Sequence, residues 1–175
     1  MSSTFDRRDI LKMLTASAAF AGPLQLAAAE PDKPLYFTAD EFALLDHLTE
    51  LLIPRDAHSG GAHDAGVAAF IDRTAAEAFL PEDKQSWNKG LAEIDRLSVA
   101  QTKRTFLKVT KDQQVALLKK LAKSGDNAKS EGEKFFGQLK NTTVFGYYTS
   151  KIGIHEETEY KGNVILEQFA GYEAV

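Results

Sequence analysis

"TADEFALLDHLTELLIPRDAHSGGAHDAGVAAFID", residues 38–72, is the stretch on which the fold turns. Thr38 followed by Glu41 is a capping box, in which the hydroxyl serves the amide three residues on and the carboxylate reaches back to the cap's own amide. Phe42, Leu45, Leu48 and Leu52 recur at helical spacing, and Leu44 and Leu51 widen the stripe. Pro54 ends this helix, because a residue before proline avoids the α region. A second helix is expected from about Asp64 to Phe79, with Val67, Phe70, Ile71 and Ala75 inward. Between the two lies a loop unusually rich in chemically capable residues: Asp56, His58, Ser59, His63 and Asp64, with Gly60, Gly61 and Gly66.

Outward from this stretch the chain continues to read as helices. Pro81-Glu82-Asp83 suits a first turn, where proline is tolerated and acids are favourable. The helix that follows carries Trp87, Leu91, Ile94 and Leu97. Thr110 to Gln113 forms another capping box, with Val115, Leu118 and Leu121 behind it. Residues 123–133 are a polar, glycine-containing connector, and a fifth helix is expected from Gly132 to about Thr143 with Phe135, Phe136 and Leu139 buried. The remainder holds Phe145, Tyr147, Tyr148, Tyr160, Phe169 and Tyr172, with weaker periodicity. Irregular structure with one or two helical turns is expected there, these aromatics either covering the core or forming a contact surface. No stretch alternates with a period of two between hairpin turns. The expected fold is all-α, a helical domain of about five helices over 30–175 with an irregular aromatic-rich C-terminal extension.

Composition narrows the chemistry. With 175 residues, 43 % of them hydrophobic and 26 % charged, the chain suits one globular domain. Cysteine is absent, which excludes disulfides, thiolate nucleophiles, Cys-ligated zinc, iron–sulfur clusters and thioether-bound haem. The formal charge of −4, without an aromatic-interleaved basic patch, speaks against nucleic acid as a partner.

The first 29 residues read as an export signal. Arg7-Arg8 precedes Ile10-Leu11-Lys12, a weakly apolar stretch follows to Leu26, and Ala27-Ala28-Ala29 offers a small-residue cleavage site. A spanning helix needs roughly 20 apolar residues, and this stretch is shorter and diluted by Thr15, Ser17, Gly22 and Pro23. Arg7, Arg8, Leu11 and Lys12 fit the twin-arginine (Tat) pattern, which Asp6 and Ile10 depart from. Removal of the segment, with its three cations and two carboxylates, takes the formal charge from −4 to −5. A Tat signal implies passage through the Tat translocase and a periplasmic location. That route carries folded cargo, often holding cofactors, yet no cofactor-binding pattern follows here. A cofactor in another chain reconciles the two.

The loop itself gives no catalytic pattern. Asp56, His58, His63 and Asp64 are ligand types for zinc or manganese, but the histidines lack the i, i+4 spacing that sets two imidazoles on one helical face. Ser59 has no strand-turn-helix elbow around it. His47 falls on the polar side of the first helix, and His155 lies in a charged segment where Glu156, Glu157 and Glu159 read as a solvated run. The loop reads as a turn in which Ser59 or Asp56 caps backbone amides and Gly61 and Gly66 allow close approach.

Together these pieces resemble the small-subunit family of gluconate 2-dehydrogenase, its subunit 3. The most specific likeness is Leu52-Ile53-Pro54-x-Asp56-x-x-Ser59-Gly60-Gly61-Ala62-x-x-Ala65-Gly66-Val67-x-x-Phe70-Ile71-Asp72, where the family pattern has proline at the position of Gly60. The resemblance implies an accessory chain without catalytic, cofactor or metal residues of its own. Its partners would be a large flavoprotein of the glucose–methanol–choline (GMC) type carrying FAD and, in some complexes, a cytochrome c subunit carrying haem. It implies oxidation of gluconate at C2 or of glycosides and sugars at C3, and export of the flavoprotein on this chain's signal. Asp56, His58, Tyr147, Tyr148, Tyr160 and Tyr172 are the candidate partner contacts. Two other readings remain open from the residues alone: a stand-alone periplasmic metal enzyme built on Asp56, His58 and His63, and a module that stacks sugars on the C-terminal aromatics.

Overall fold

The computed structural model describes residues 33–162. Five α-helices follow one another among them: α1 (Ala39–Leu52), α2 (Val67–Glu77), α3 (Pro81–Thr102), α4 (Lys111–Ala122) and α5 (Glu131–Tyr148). Single turns at Phe106–Lys108 and Gly125–Asn127 join α3 to α4 and α4 to α5, and a π-helical turn, Gly153–Glu157, follows α5. The described residues contain no strand.

The helix starts are chemically specified. Thr38, Thr110 and Ser130 each accept from the amide three residues on, while Glu41, Gln113 and Glu133 return the bond to the cap's own amide. Pro81 occupies the first turn of α3, where its missing amide hydrogen costs nothing. Glu133 also takes the Ser124 hydroxyl and the Lys129 amide. These donors, Ser124 first, hold its carboxyl down at about 2 and tie the connector to α5.

α5 is the central element and touches each of the other four helices. Leu45 and Leu48 of α1, Ile71 of α2, Leu91 and Ile94 of α3 and Leu139 of α5 are sealed from solvent. Burial of each such side chain is worth about 1.5–3 kcal/mol before the entropy of ordering is subtracted. Phe37, Trp87 and Phe135 extend this core by edge-to-face packing at 6.5 and 5.8 Å.

Three local features differ from the sequence expectation. α5 does not stop near Thr143 but runs to Tyr148, because Leu139, Thr143 and Tyr147 continue one buried row at four-residue spacing. Phe145, Tyr147 and Tyr148 are therefore helical rather than part of an irregular extension. On α4 the inward residues are Gln114, Leu117, Leu118 and Leu121, with Val115 half-buried. Gln114 lies inside because both ends of its amide are engaged: Nε2 donates to the Phe106 carbonyl at 2.8 Å, and Oε1 meets His47 Nε2 at 3.0 Å. His47 is accordingly half-buried against the Phe106 ring rather than a surface histidine.

Candidate functional site

The loop between α1 and α2 is fixed from both sides. Ile53 and Ala62 close it, the Ala62 amide donating to the Ile53 carbonyl at 2.8 Å. Asp56 Oδ1 accepts from the His58 and Ser59 amides at 2.7 and 2.9 Å, and these two donors, Ser59 first, hold its carboxyl below the usual aspartate value. Glu50, in the last turn of α1, accepts from the Arg55 amide through one oxygen and from the His63 amide through the other, at 3.0 and 2.9 Å. Asp64 accepts from the Gly61 amide at 3.0 Å and pairs with the Arg55 guanidinium, which lowers its pKa and raises that of Arg55. His63 Nδ1 meets Asp46 at 2.7 Å, and the Asp46 carboxylate raises the histidine above its ordinary pKa.

Gly61 is required for close approach: a Cβ there would lie 2.4 Å from Glu50 Oε2 and 2.5 Å from the Arg55 nitrogen. Gly66 is required for its left-handed backbone, φ +68°, at the entry to α2; nothing crowds it.

The far wall of the loop comes from the C-terminal end of the described chain. Ser59 is buried, and its hydroxyl donates to Glu157 at 2.7 Å and lies 3.0 Å from the Tyr147 hydroxyl. Tyr147 donates to the Gly60 carbonyl at 2.8 Å, and the Gly60 amide donates to Glu156 at 3.2 Å. Burial, more than any neighbouring charge, raises the Tyr147 pKa, so this phenol stays protonated at neutral pH. Glu156 and Glu157, expected within a solvated run, instead clasp the loop. Ser59 is paired with a carboxylate, Glu157, and not with a histidine. A nucleophilic serine needs an accessible oxygen and an oriented base; Ser59 has its oxygen buried among structural partners.

A second anchor escaped the sequence reading. Asp72, 3 % exposed, accepts from the amides of Leu35, Tyr36 and Phe37 at 2.5, 3.0 and 3.0 Å. Tyr36 donates its hydroxyl to Asn88, and Asn88 donates to Glu41 at 2.9 Å. Residues 35–37 are thereby fastened to α1, α2 and α3 together. The available signal was an acid on the inward face of an otherwise apolar helix stripe, one residue after Ile71.

The candidate contacts fall into distinct environments. His58 is half exposed, 4.0 Å from Glu159, and Tyr148 and Tyr160 are 44 % and 48 % exposed. Asp56 is exposed but has one oxygen engaged by the loop's own amides. Tyr147, named as a candidate contact, is instead 1 % exposed and covers the core, its hydroxyl drawn to Gly60 and Ser59. Arg7, Arg8, Leu11, Lys12 and Tyr172 lie outside the described residues. No group of three or more His, Asp or Glu side chains converges as a metal site among the described residues; His58 and His63 face different carboxylates.

The family model described as gluconate 2-dehydrogenase subunit 3 matches residues 39–164, from the first residue of α1 through the π turn. No curated protein and no solved structure matches the chain.

Proposed function

Because the chain belongs to the gluconate 2-dehydrogenase subunit 3 family, we propose that it is the non-catalytic small subunit of a periplasmic, FAD-dependent dehydrogenase of sugars or sugar acids. In this reading the flavin sits in a GMC-type large subunit, and oxidation falls at C2 of gluconate or C3 of a glycoside. The small subunit stabilises the flavoprotein and lends it the twin-arginine signal for export. A cytochrome c subunit takes the electrons onward where one is present.

The observation that carries this reading is the use made of the loop. Asp56, Ser59, His63, Asp64 and Glu157, the residues most able to do chemistry, each hold a backbone amide or a neighbouring side chain of the same fold. An acid or base so engaged is poorly placed to exchange protons with a substrate. A subunit role leaves the outer surface as the working part.

The test is replacement of Arg7 and Arg8 by lysine in the native host. The expected result is loss of flavin-containing dehydrogenase from the periplasm, with the flavoprotein retained in the cytoplasm. Unchanged export of that flavoprotein, or dehydrogenase activity from this chain purified alone, overturns the proposal.

A further inference from the structure

We infer that the seam between α2 and α5, where Phe70, Val144, Phe145 and Tyr148 reach the surface, is the face that docks the catalytic subunit. The partner it fits presents an apolar patch rimmed by carboxylates. This inference rests on the subunit reading above and names the face that serves it.

Val144, Phe145 and Tyr148 are 42 %, 60 % and 44 % exposed, large values for side chains of this size on one helix. Their i, i+1, i+4 spacing puts them on one side of α5. Phe70 joins them from α2, its ring centroid 6.0 Å from that of Phe145. The Phe70 ring also lies directly over Gly146, where a Cβ would come within 2.8 Å of it. Phe145 therefore stands on a ring already wedged against the α5 backbone. Aromatic rings held in this way lose little entropy when a partner covers them, which is the property of binding hot spots.

The charges around the patch are net basic. Arg73 lies one turn beyond Phe70, Lys140 one turn before Val144, and Lys151 three residues after Tyr148; all three are exposed. None of the three is in an ion pair among the described residues, where the pairs fall elsewhere. Glu77, one turn past Arg73, is the carboxylate on this side of α2. A net-basic rim on a chain of net charge −4 selects for an acidic-rimmed surface and against a second copy of itself. A lipid surface is the weaker occupant, because segments that hold anionic lipid carry about four to eight clustered cations.

The test isolates the tagged protein with the flavin-containing chain that accompanies it, and measures their affinity with purified components. Phe145→Asp should weaken binding about thirtyfold or more, the hot-spot range, while its melting curve stays that of wild type. Phe79→Asp, at a 96 % exposed phenylalanine on the α2–α3 corner, should leave affinity unchanged. Raising salt should weaken wild-type binding, and the triple variant Arg73→Glu, Lys140→Glu, Lys151→Glu should lose both affinity and that salt response. Wild-type affinity in a folded Phe145→Asp variant overturns the inference while leaving the subunit reading intact. So does retained flavoprotein binding with loss of a dimer, or with loss of binding to phosphatidylglycerol vesicles. A wild-type chain that brings down no flavin-containing partner overturns the subunit reading itself.

Discussion

Removing the Asp72 carboxylate should detach residues 35–37 from the helical core and measurably loosen the whole fold. Three backbone amides converge on this one buried side chain. A hydrogen bond to a charged acceptor is worth about 1.5–3 kcal/mol, but the three share a single desolvation cost and do not add. Asp72→Ala leaves these three amides without their acceptor, and at about 1–3 kcal/mol for an unsatisfied group, with the more exposed ones partly rehydrated, about 3–5 kcal/mol is expected in total. Asp72→Asn keeps one carbonyl oxygen for Tyr36 and Phe37 but turns an NH₂ group toward the Leu35 amide, so about 2–3 kcal/mol is expected. For a domain of this size 1 kcal/mol moves Tm by roughly 4 °C, which gives a fall of about 12–20 °C for the alanine variant. Urea unfolding with an unchanged m value should report the same loss, and hydrogen exchange should show Leu35, Tyr36 and Phe37 losing protection first. Phe37 would lose its edge contact with Trp87 in the same step. A Tm within about 2 °C of wild type, with those amides still protected, would refute the reasoning.

The clasp and the loop histidine give two further tests. Ser59→Ala and Tyr147→Phe should each cost about 1–1.5 kcal/mol, and the double variant should cost less than their sum by at least about 0.5 kcal/mol; strict additivity in urea melts would show that the two hydroxyls act separately. His63 should titrate, by NMR, above the ordinary histidine value and return toward it in Asp46→Asn, since Asp46 supplies the shift. Its folded pKa being the higher, its stabilising contribution is complete below about pH 6.5 and disappears as pH rises through the folded value. With the histidine side chain 67 % exposed the effect stays under about 1 kcal/mol, and a wild-type stability no more pH-dependent than that of Asp46→Asn contradicts the pairing.

The helical frame was legible because its signals are local. The boxes at Thr38 and Thr110 start α1 and α4 where expected, and Pro54 and Pro81 mark an end and a beginning. What escaped depends on contacts distant in sequence. Gln114 reads as polar surface until the Phe106 carbonyl and His47 are brought beside it, and Asp72 is an inward acid without a visible partner until Leu35, Tyr36 and Phe37, 35 to 37 residues earlier, fold back to meet it. The end of α5 was misjudged for a related reason. Thr142, Thr143, Val144 and Gly146 are weak helix formers, but Tyr147 is held by partners on a loop 87 and 88 residues earlier.

The loop shows why residue types alone decide so little about function. Asp, Ser, His and Glu populate active sites because they exchange protons and accept hydrogen bonds, and the same capacities make them the groups that satisfy exposed amides in a tight turn. What separates the two uses is whether the lone pairs and protons are already engaged. Here Asp56, Glu50 and Asp64 between them take five backbone amides and a guanidinium, and Glu157 takes the one buried serine of the loop. A loop held so completely can act on a partner through its shape, and the contacts that do so must come from side chains the fold leaves outward. That requirement removes Tyr147, whose place in the aromatic-rich sequence suggested an interface, and favours Phe145 and Tyr148 on either side of it. Along one helix the alternation between inward clasp and outward platform is set by the 3.6-residue repeat, so a change at Tyr147 should register in stability and a change at Phe145 in association.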